Sequence, residues 1–308
     1  MAVDTRGLGL RYIGMVRNRV ACAVLVALTG CGSSSASRSS APASPVPSST
    51  RLGEASAVMS PTISGAPWPS GPTRAPGSVI PAAGSKWQFQ LQGLVDTSVD
   101  AHVFEIDGFA TPASTVTTLH SLGRHVICYI DGGSWENFRP DAGRFPTALL
   151  GNVYSGYPNE RWLDIRDQAA LPAILAARLH DQCVAKGFDA VEWDNVEGFN
   201  NDTGFPLTAD DQLRFNTTLA DVTHAAGLRV ALKNDRGQAA ALAPVFDEAV
   251  DEECQQFAEC GLLQSFVDRG KPVFDVEYDP AAFSCPGPTG LSIILKDKDL
   301  LAKPRRSC

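Results

Sequence analysis

The chain has 308 residues and a formal net charge of −8, and most of its acidic side chains follow residue 85. This charge argues against nucleic acid as a partner, because a nucleic-acid-binding surface needs an excess of Lys and Arg, and it suits a neutral or cationic ligand instead. The length is ample for one sizeable folded domain and for further segments that do not fold.

Residues 1–30 have the pattern of an export signal. Arg11, Arg17 and Arg19 precede the apolar run Val20–Leu28, which is too short to span a bilayer as a stable helix. With Thr29 and Gly30, the end of this run completes a bacterial lipobox directly before Cys31. We therefore predict cleavage before Cys31, lipidation of its thiol and attachment to the extracellular face of the bacterial cell membrane. An ordinary signal peptide, and hence a secreted protein, is the alternative.

Residues 31–84 are rich in Ser, Pro, Ala and Gly and contain few aliphatic side chains. Such a segment cannot bury enough apolar surface to offset the entropy of ordering, so we predict a disordered linker. Residues 85–308 then form the folded domain. We expect a monomer, since the sequence contains no sign of an obligate oligomer.

Eight short, largely apolar runs predict β-strands in this domain. They are Gln88–Gln92, Val103–Ile106, His125–Ile130, Ala190–Trp193, Arg229–Lys233, Val245–Val250, Val273–Val276 and Leu291–Leu295. Helical patterns separate most of them, namely Pro112–Leu122 with Thr111 as a candidate cap, Leu171–Lys186 and Thr208–Ala226. The alternation predicts an α/β fold, a (β/α)8 TIM-like barrel with a parallel sheet. A doubly wound open sheet is the alternative, but no GxGxxG motif follows any strand.

The long segment Gly132–Asp167 follows the third predicted strand and has no helical pattern. We predict an extended loop over the C-terminal face of the barrel. Its aromatic residues include Trp135, Phe138, Tyr154, Tyr157 and Trp162. These rings either stack on sugar faces or pack the loop onto the barrel, and the two tryptophans are the candidates for sugar contacts.

Carboxylates stand where many of the predicted strands end. They are Asp107, Asp131, Asp194, Asp251, Glu252 and Glu277. Because parallel strands end at the same face, these acids form a ring where a β/α barrel has its active site. Lys233 and Asn234 end the fifth strand and reach the same face, where Lys233 either lowers the pKa of a neighbouring carboxylate or forms a structural ion pair. A site of Asp and Glu with little His favours glycoside hydrolysis, which needs one carboxylic acid and one carboxylate.

Side-chain alternation along a strand decides which residues face the barrel axis. It places three further acids on the inner face, so that the pairs are Glu105 with Asp107, Glu192 with Asp194, and Asp275 with Glu277. These residues alone leave open which two acids react. For any single acid, a hydrogen bond to the substrate or a structural ion pair is the alternative role.

Six cysteines lie in the predicted domain, which indicates disulfides in an exported protein. Alternation turns Cys128 away from the barrel axis, and Cys183 lies on the apolar stripe of the following helix, so these two form a candidate pair. The remaining candidate pairs are Cys254–Cys260 and Cys285–Cys308. No CxxC motif is present and no His stands at the C-terminal end of a strand, so we expect no metal and no cofactor.

Several sequence blocks in the domain resemble those of one enzyme family. They include Trp87-Gln-Phe-Gln-Leu-Gln92, Arg161-Trp-Leu-Asp164, Gly187-Phe-Asp-Ala-Val-Glu-Trp-Asp194-Asn195, Leu232-Lys-Asn234, Glu252-Glu-Cys254 and Glu277-Tyr278. The blocks and their order resemble the sequences of glycoside hydrolase family 114, the endo-α-1,4-polygalactosaminidases. The fold of that family is a TIM barrel. The resemblance covers residues 86–278, and Trp193 stands where the family usually has Pro.

The resemblance implies internal cleavage of an α-1,4-linked galactosamine or N-acetylgalactosamine polymer by a retaining mechanism. The matching positions make Asp194 the candidate nucleophile and Glu252 the candidate general acid/base. A partly deacetylated galactosaminan is cationic, which suits the acidic domain. The candidate substrate contacts are Asp107, Asp131, Trp135, Glu136, Trp162, Asp164, Asn195, Lys233, Asn234, Glu277 and Tyr278.

Three other functions fit parts of the pattern. A barrel that binds a cell-surface glycan without cutting it could lack one of the two carboxylates, and both are present here. A metal-dependent hydrolase usually takes several His ligands from strand ends. A purely structural envelope lipoprotein has no use for acids concentrated at strand ends, where their burial is costly.

Overall fold

The computed structural model describes residues 80–308. The predicted signal peptide 1–30, Cys31 and all but the last five residues of the predicted linker 31–84 lie outside these residues and stay predictions. The described strands are β1 (Trp87–Gln90), β2 (Val103–Asp107), β3 (His125–Asp131), β4 (Ser134–Glu136), β5 (Leu150–Tyr154), β6 (Tyr157–Leu163), β7 (Ala190–Asp194), β8 (Arg229–Lys233), β9 (Glu248–Glu252), β10 (Val273–Glu277), β11 (Leu291–Lys296) and β12 (Arg305–Ser307). Within residues 80–308, no helix is both long and apolar enough to cross a membrane.

Eight of these strands pair in parallel, in the order β1-β2-β3-β7-β8-β9-β10-β11. Most of their residues are buried, as expected for apolar runs between a barrel interior and a helical layer. All eight predicted strands are present, and the predicted barrel is confirmed. The predicted start of Val245–Val250 is wrong, because the N–H groups of Val245 and Phe246 donate to the carbonyl of Leu242 and the strand begins only at Glu248.

The barrel closes through the segment between β11 and β12, since β11 and β1 do not pair directly in the described sheet. The N–H of Leu91 donates to the carbonyl of Leu300 over 3.1 Å. The guanidinium of Arg305 donates to the carbonyl of Trp87 over 2.7 Å. The first strand is therefore joined to the last part of the described chain.

The described helices are α1 (Ala113–Ser121), α2 (Ala170–Leu179), α3 (Ala209–Ala225), α4 (Ala239–Leu242) and α5 (Gln264–Val267), and a π-helical turn (His180–Val184) continues α2. A capping box starts α3, in which Thr208 and Asp211 each accept a hydrogen bond from the other's N–H. The predicted cap Thr111 is wrong. The backbone of Pro112 is extended, so α1 starts one residue beyond the reach of Thr111, and no side chain caps it.

The segment after β3 forms a small antiparallel sheet with the strand order β4-β6-β5, so the predicted extended loop is wrong. In β6, Glu160 and Trp162 are buried and Arg161 between them is partly exposed. The alternation is too short to stand out in the sequence. The N–H of Leu163 donates to the carbonyl of Gly133 over 3.0 Å and ties this sheet to the end of β3.

Trp193 packs on the helical layer. Its side chain is fully buried, and its indole N–H donates to Oγ1 of Thr223 on α3 over 2.9 Å. The residue that replaces the usual proline of the resembling sequences thus lies on the outer face of the sheet. As the alternation predicts, Asp194 is left on the inner face.

Two of the three candidate disulfides are present. Cys128–Cys183 joins β3 to the π-helical turn, and Cys254–Cys260 closes a short loop after β9. The predicted pair Cys285–Cys308 is not formed, and both residues are exposed free thiols. Partial burial and the neighbouring Cys285 raise the pKa of Cys308 to about 11.

Candidate active site

A cleft opens at the C-terminal ends of the parallel strands. Its walls come from the strand ends, from the β5–β6 hairpin and from the segment after β11. The lining residues are Phe89, Leu91, Tyr129, Tyr154, Tyr157, Glu160, Asp194, Asn195, Lys233, Asn234, Glu252, Tyr278, Lys298 and Leu300. This is the face at which barrel enzymes have their active sites.

Asp194, the last residue of β7, accepts three hydrogen bonds. Lys233 Nζ donates to Oδ1 over 3.1 Å, the N–H of Asn195 donates to the same oxygen over 2.9 Å, and the hydroxyl of Tyr129 donates to Oδ2 over 2.6 Å. Burial raises the pKa of Asp194, but these three donors outweigh burial and hold the pKa below its usual value. Asp194 is therefore an anion at neutral pH, as a carboxylate nucleophile must be.

Glu252, the last residue of β9, also contacts Lys233. Its Oε2 is 3.6 Å from Lys233 Nζ, and its Oε1 accepts a hydrogen bond of 2.5 Å from the hydroxyl of Tyr278. The same ammonium lies 3.1 Å from Oδ1 of Asp194. The distance between this oxygen and Oε2 of Glu252 is therefore at most about 6.7 Å. This limit includes the roughly 5–5.5 Å of retaining glycosidases and excludes most of the roughly 6.5–9.5 Å of inverting ones.

Lys233 is the cation at the centre of the acid ring. It is 2% exposed and lies within ion-pair distance of Glu192, Asp194 and Glu252. Burial lowers the pKa of Lys233, but the carboxylates outweigh burial and raise the pKa well above its usual value. The ammonium therefore stays charged throughout the pH range in which a carboxylate pair works.

Strands β7, β8 and β9 end with the same backbone feature. The next residue has a positive φ in each case, 61° at Asn195, 50° at Asn234 and 64° at Glu253. Asn adopts this conformation readily, whereas it is uncommon for Glu. Strained residues of this kind cluster at functional sites. Each turn takes the chain away directly after a strand residue that lines the cleft.

Glu160 lines the cleft and was missed by the sequence analysis. Its Oε2 lies 3.4 Å from Oγ of Ser134, which donates to Asp131 over 2.6 Å. Burial, with Asp131, Glu136 and Asp194 nearby, raises the pKa of Glu160 to about 9. In the part of the chain described, neither Asp131 nor Glu160 has a basic side chain within ion-pair distance. Its inner position in the alternation of β6 was the signal that could have identified it.

Comparison with known proteins decides the family. The sequence profile of glycoside-hydrolase family GH114 matches residues 69–308. The chain belongs to this family. It is similar to the crystal structure of Aspergillus fumigatus Ega3 in complex with galactosamine, with 34% sequence identity, coverage of 77% of this chain and 100% of that chain, and a TM-score of 0.70. The glycoside hydrolase domain of PelA from Pseudomonas aeruginosa shares the fold at 12% identity, with coverage of 74% and 99% and a TM-score of 0.56. No curated protein sequence matches the chain.

The protein is thus a glycoside hydrolase of family GH114, and six of its predicted site residues meet in the cleft. They are Asp194, Asn195, Lys233, Asn234, Glu252 and Tyr278. The other seven lie outside the residues that line the cleft, and they are Asp107, Asp131, Trp135, Glu136, Trp162, Asp164 and Glu277.

Three of these seven are carboxylates paired with arginines. Arg139 bridges two of them, with Nη2 2.8 Å from Asp107 and Nε 2.8 Å from Glu136. Asp164 pairs with Arg166 over 2.7 Å, and this hydrogen bond lowers the pKa of Asp164. These ion pairs hold the segments around the cleft rather than presenting free carboxylates to it.

Two further acids accept backbone hydrogen bonds beside the cleft. Asp131 accepts from the N–H of Ser134 and from the side-chain amide of Asn195, both over 2.6 Å. Glu277 accepts from the N–H of Gln255 over 2.6 Å. Asp131 therefore fixes the turn after β7, and Glu277 fixes the loop after β9.

Neither predicted tryptophan lines the cleft, whereas Tyr154 and Tyr157 of the β5–β6 hairpin do. Trp162 is 2% exposed, and its ring lies 4.5 Å from that of Tyr154, which stacks on Tyr157 at 4.8 Å. The indole N–H of Trp135 donates to the carbonyl of Ala142 over 3.0 Å. The aromatic rings that line the cleft are those of Phe89, Tyr129, Tyr154, Tyr157 and Tyr278.

One group of described residues, Asp251, Cys254 and Asp275, brings three potential metal-ligand atoms together. The sulfur of Cys254 is bonded to Cys260 and is no thiolate donor. Burial raises the pKa of Asp251 to about 7 although Arg236 opposes it, and burial raises that of Asp275 as well. The two carboxyl groups left do not form a complete ligand set.

Proposed function

We propose that this GH114 enzyme cleaves α-1,4-linked galactosamine polymers internally and with retention of anomeric configuration. The observation that carries the proposal is the contact of both Asp194 and Glu252 with the ammonium of Lys233. Such a contact favours the short carboxyl separation of a retaining glycosidase, in which no water fits between the second carboxylate and the sugar.

The proposed reaction has two steps. The carboxylate of Asp194 attacks the anomeric carbon, a bond forms between them, and the bond from that carbon to the glycosidic oxygen breaks as Glu252 gives its proton to that oxygen. Glu252 then takes a proton from water, whose oxygen attacks the same carbon and releases Asp194. Because the carbon is inverted twice, the product keeps the starting configuration.

Carboxyl groups in the cleft support an amino-sugar polymer as substrate. Glu160, Asp194 and Glu252 line the cleft, and the protein carries a net charge of −8. A galactosamine unit carries an ammonium group, which forms charge-assisted hydrogen bonds to carboxylates. The similarity to Ega3, whose crystal structure contains galactosamine, supports the same choice.

We further propose that a lipid on Cys31 holds the protein at the extracellular face of the bacterial membrane, with residues 31–84 as a tether. The lipobox before Cys31 is the observation that supports this location. Labelling the producing cells with a radioactive fatty acid tests it. Label in the parent and none in Cys31→Ala supports the anchor, and no label in the parent contradicts it.

The activity is tested with partly deacetylated α-1,4-galactosaminan. We expect oligosaccharides from the parent protein, a decrease in kcat of about 10²–10⁴-fold in Glu252→Gln, and no detectable turnover in Asp194→Asn. Proton NMR of the first product should show the α-anomer before mutarotation. A first product in the β-configuration would contradict retention. Binding of the polymer by the folded parent without any products would favour the alternative function, a barrel that captures glycan without cutting it.

A further inference from the structure

Two buried carboxyl groups beneath Lys233 have no part in the proposed reaction. Glu105 on β2 and Glu192 on β7 are both 0% exposed. Their carboxyl groups lie within hydrogen-bonding reach of each other. Within the described residues, no N–H or O–H group donates to either oxygen of Glu105 or to Oε2 of Glu192. Because unsatisfied buried oxygens are costly, we infer a proton held between the two groups, which gives one oxygen of each group a partner.

The surroundings decide which carboxyl holds the proton. Oε1 of Glu192 accepts a hydrogen bond of 3.1 Å from Lys233, and Glu105 makes no ion pair with a described residue. Burial and then the neighbouring Glu192 raise the pKa of Glu105 well above its usual value. Burial also raises the pKa of Glu192, but Lys233 opposes it. The proton therefore belongs to Glu105, which donates it to an ionised Glu192.

We propose that Glu192, with neutral Glu105 behind it, is a positioning residue that holds the ammonium of Lys233 between Asp194 and Glu252. In this position the ammonium is the counter-ion of each carboxylate in turn. The inference rests on the proposed function, because it assigns the two carboxylates their roles in the two-step reaction.

The movement of charge during that reaction explains the need for a fixed cation. When Asp194 bonds to the sugar it loses its negative charge, and Glu252 gains one as it gives up its proton. Lys233 lies 3.1 Å from the first carboxylate and 3.6 Å from the second. Glu192 supplies a third contact that does not change, so the ammonium stays between the two and stabilises both stages without reorganisation.

Among residues 80–308, Lys233 is the cation within ion-pair distance of Glu192, Asp194 and Glu252, and no other one is. The titratable groups that face Lys233 come from β2, β3, β7, β9 and the end of β10, and they are Glu105, Tyr129, Glu192, Asp194, Glu252 and Tyr278. Only the two inner glutamates lie outside the cleft lining. They can therefore be changed without removing a group that touches the sugar.

The test compares pH profiles of kcat/KM for the parent protein, Glu192→Gln and Glu105→Gln. In Glu192→Gln the positive charge of Lys233 is no longer neutralised by Glu192. It then opposes protonation of Asp194 and Glu252 more strongly. We expect the whole profile to move to lower pH by about one unit. We also expect kcat to fall by about 10-fold, since the ammonium loses its fixed contact. Glu105→Gln replaces a neutral acid by a neutral amide, so its profile should coincide with that of the parent.

A merely structural role of Glu192 would change stability or kcat without moving the profile, and that outcome overturns the proposal. An equal shift in Glu105→Gln overturns it too, because Glu105 would then be charged. Circular dichroism shows whether each variant is folded. A folded parent without any hydrolysis contradicts the proposed function itself and is distinguishable from both outcomes.

Carbon NMR of protein labelled at the glutamate carboxyl carbons tests the proton independently of activity and of the Glu192 variant's folding. We expect one resonance, absent from Glu105→Gln, that keeps the chemical shift of a protonated acid at pH 7. If the Glu105 resonance instead titrates near the ordinary glutamate value, about pH 4.3, the proposal is wrong.

Discussion

The hydroxyl of Tyr129 donates a hydrogen bond of 2.6 Å to Oδ2 of Asp194. The other oxygen of this carboxylate accepts from Lys233, so the two donors hold the group from two sides. Both bonds favour the ionised form. The orientation and the charge of the candidate nucleophile therefore depend on side chains from two other strands, β3 and β8.

Replacing Tyr129 with Phe removes the bond and keeps the ring. A hydrogen bond to a charged group contributes about 1.5–3 kcal/mol, so we expect the pKa of Asp194 to rise by about one to two units. The acidic limb of the kcat/KM profile should move up by the same amount. Tyr154→Phe is the control, since it removes a cleft hydroxyl that makes no hydrogen bond to either candidate catalytic carboxylate. If the acidic limb of the kcat/KM profile lies at the same pH in Tyr129→Phe and Tyr154→Phe, the role of Tyr129 is contradicted.

Lys233→Met should reduce kcat/KM by at least about 100-fold, because a buried charge pair loses its cation. The remaining activity should have its acidic limb at higher pH, since Lys233 opposes protonation of Asp194. Lys298→Met is the matched control. Lys298 lines the same cleft but pairs with Glu253 over 3.5 Å. A comparable loss in both variants would show that the lysines act only through the overall charge of the cleft.

Glu160 makes stability depend on pH. Its pKa is raised to about 9, so the folded protein keeps a proton that the unfolded chain releases. The contribution of Glu160 is fully present below the unfolded pKa, about 4.3, and is lost as pH rises towards 9. Glu160→Gln should therefore flatten the decline of the free energy of unfolding between these values, by at most about 1.4 kcal/mol per pH unit.

Urea unfolding at several pH values from 5 to 8.5 measures this slope. Asp164→Asn is the control, because the hydrogen bond from Arg166 lowers the pKa of Asp164 and its titration ends below this window. The slope of the control should match that of the parent. An unchanged slope in Glu160→Gln would show that Glu160 is already ionised at pH 5.

The two disulfides should contribute unequally to stability. Cys128 and Cys183 are 55 residues apart, and Cys254 and Cys260 are six apart. The loop-entropy relation then assigns about 4 kcal/mol to the first pair and about 2 kcal/mol to the second. Urea unfolding of the two double Ala variants measures the difference. A larger loss for the short loop would mean that native contacts, rather than chain entropy, determine the contribution.

Much of the barrel and of the acid ring at its C-terminal face follows from sequence periodicity. A strand buried on both faces is a short apolar run, and an acid that interrupts such a run must lie at its end or face the axis. That reasoning placed Asp194, Lys233 and Glu252 at the same face, and in the structure both carboxylates contact the ammonium of Lys233. The parallel arrangement alone places strand ends together.

Other features depend on contacts that no local pattern records. Glu160 lies in β6, which pairs with β5 through register shifts, and the alternation of buried and exposed side chains there covers only Glu160–Trp162. The arginine partners of Asp107 and Glu136 come from folding of the segment after β3. The packing of this segment decides whether an acid faces the substrate or pairs with an arginine. The residue type is the same in both cases, so the sequence does not distinguish them.

The barrel closes at a seam, where β1 and the residue after it contact the segment between β11 and β12 and β12 itself. This seam links hydrolysis to the order of folding. The carbonyl of Leu300, which lines the cleft, accepts from the N–H of Leu91, and Arg305 binds a carbonyl 218 residues away. Contacts of such sequence separation form late, because the loop entropy must be overcome before they contribute. Helices and inner strands can therefore form while one wall of the cleft is still absent. During refolding, hydrolysis should return after the helical circular dichroism, and the delay reports the joining of the seam.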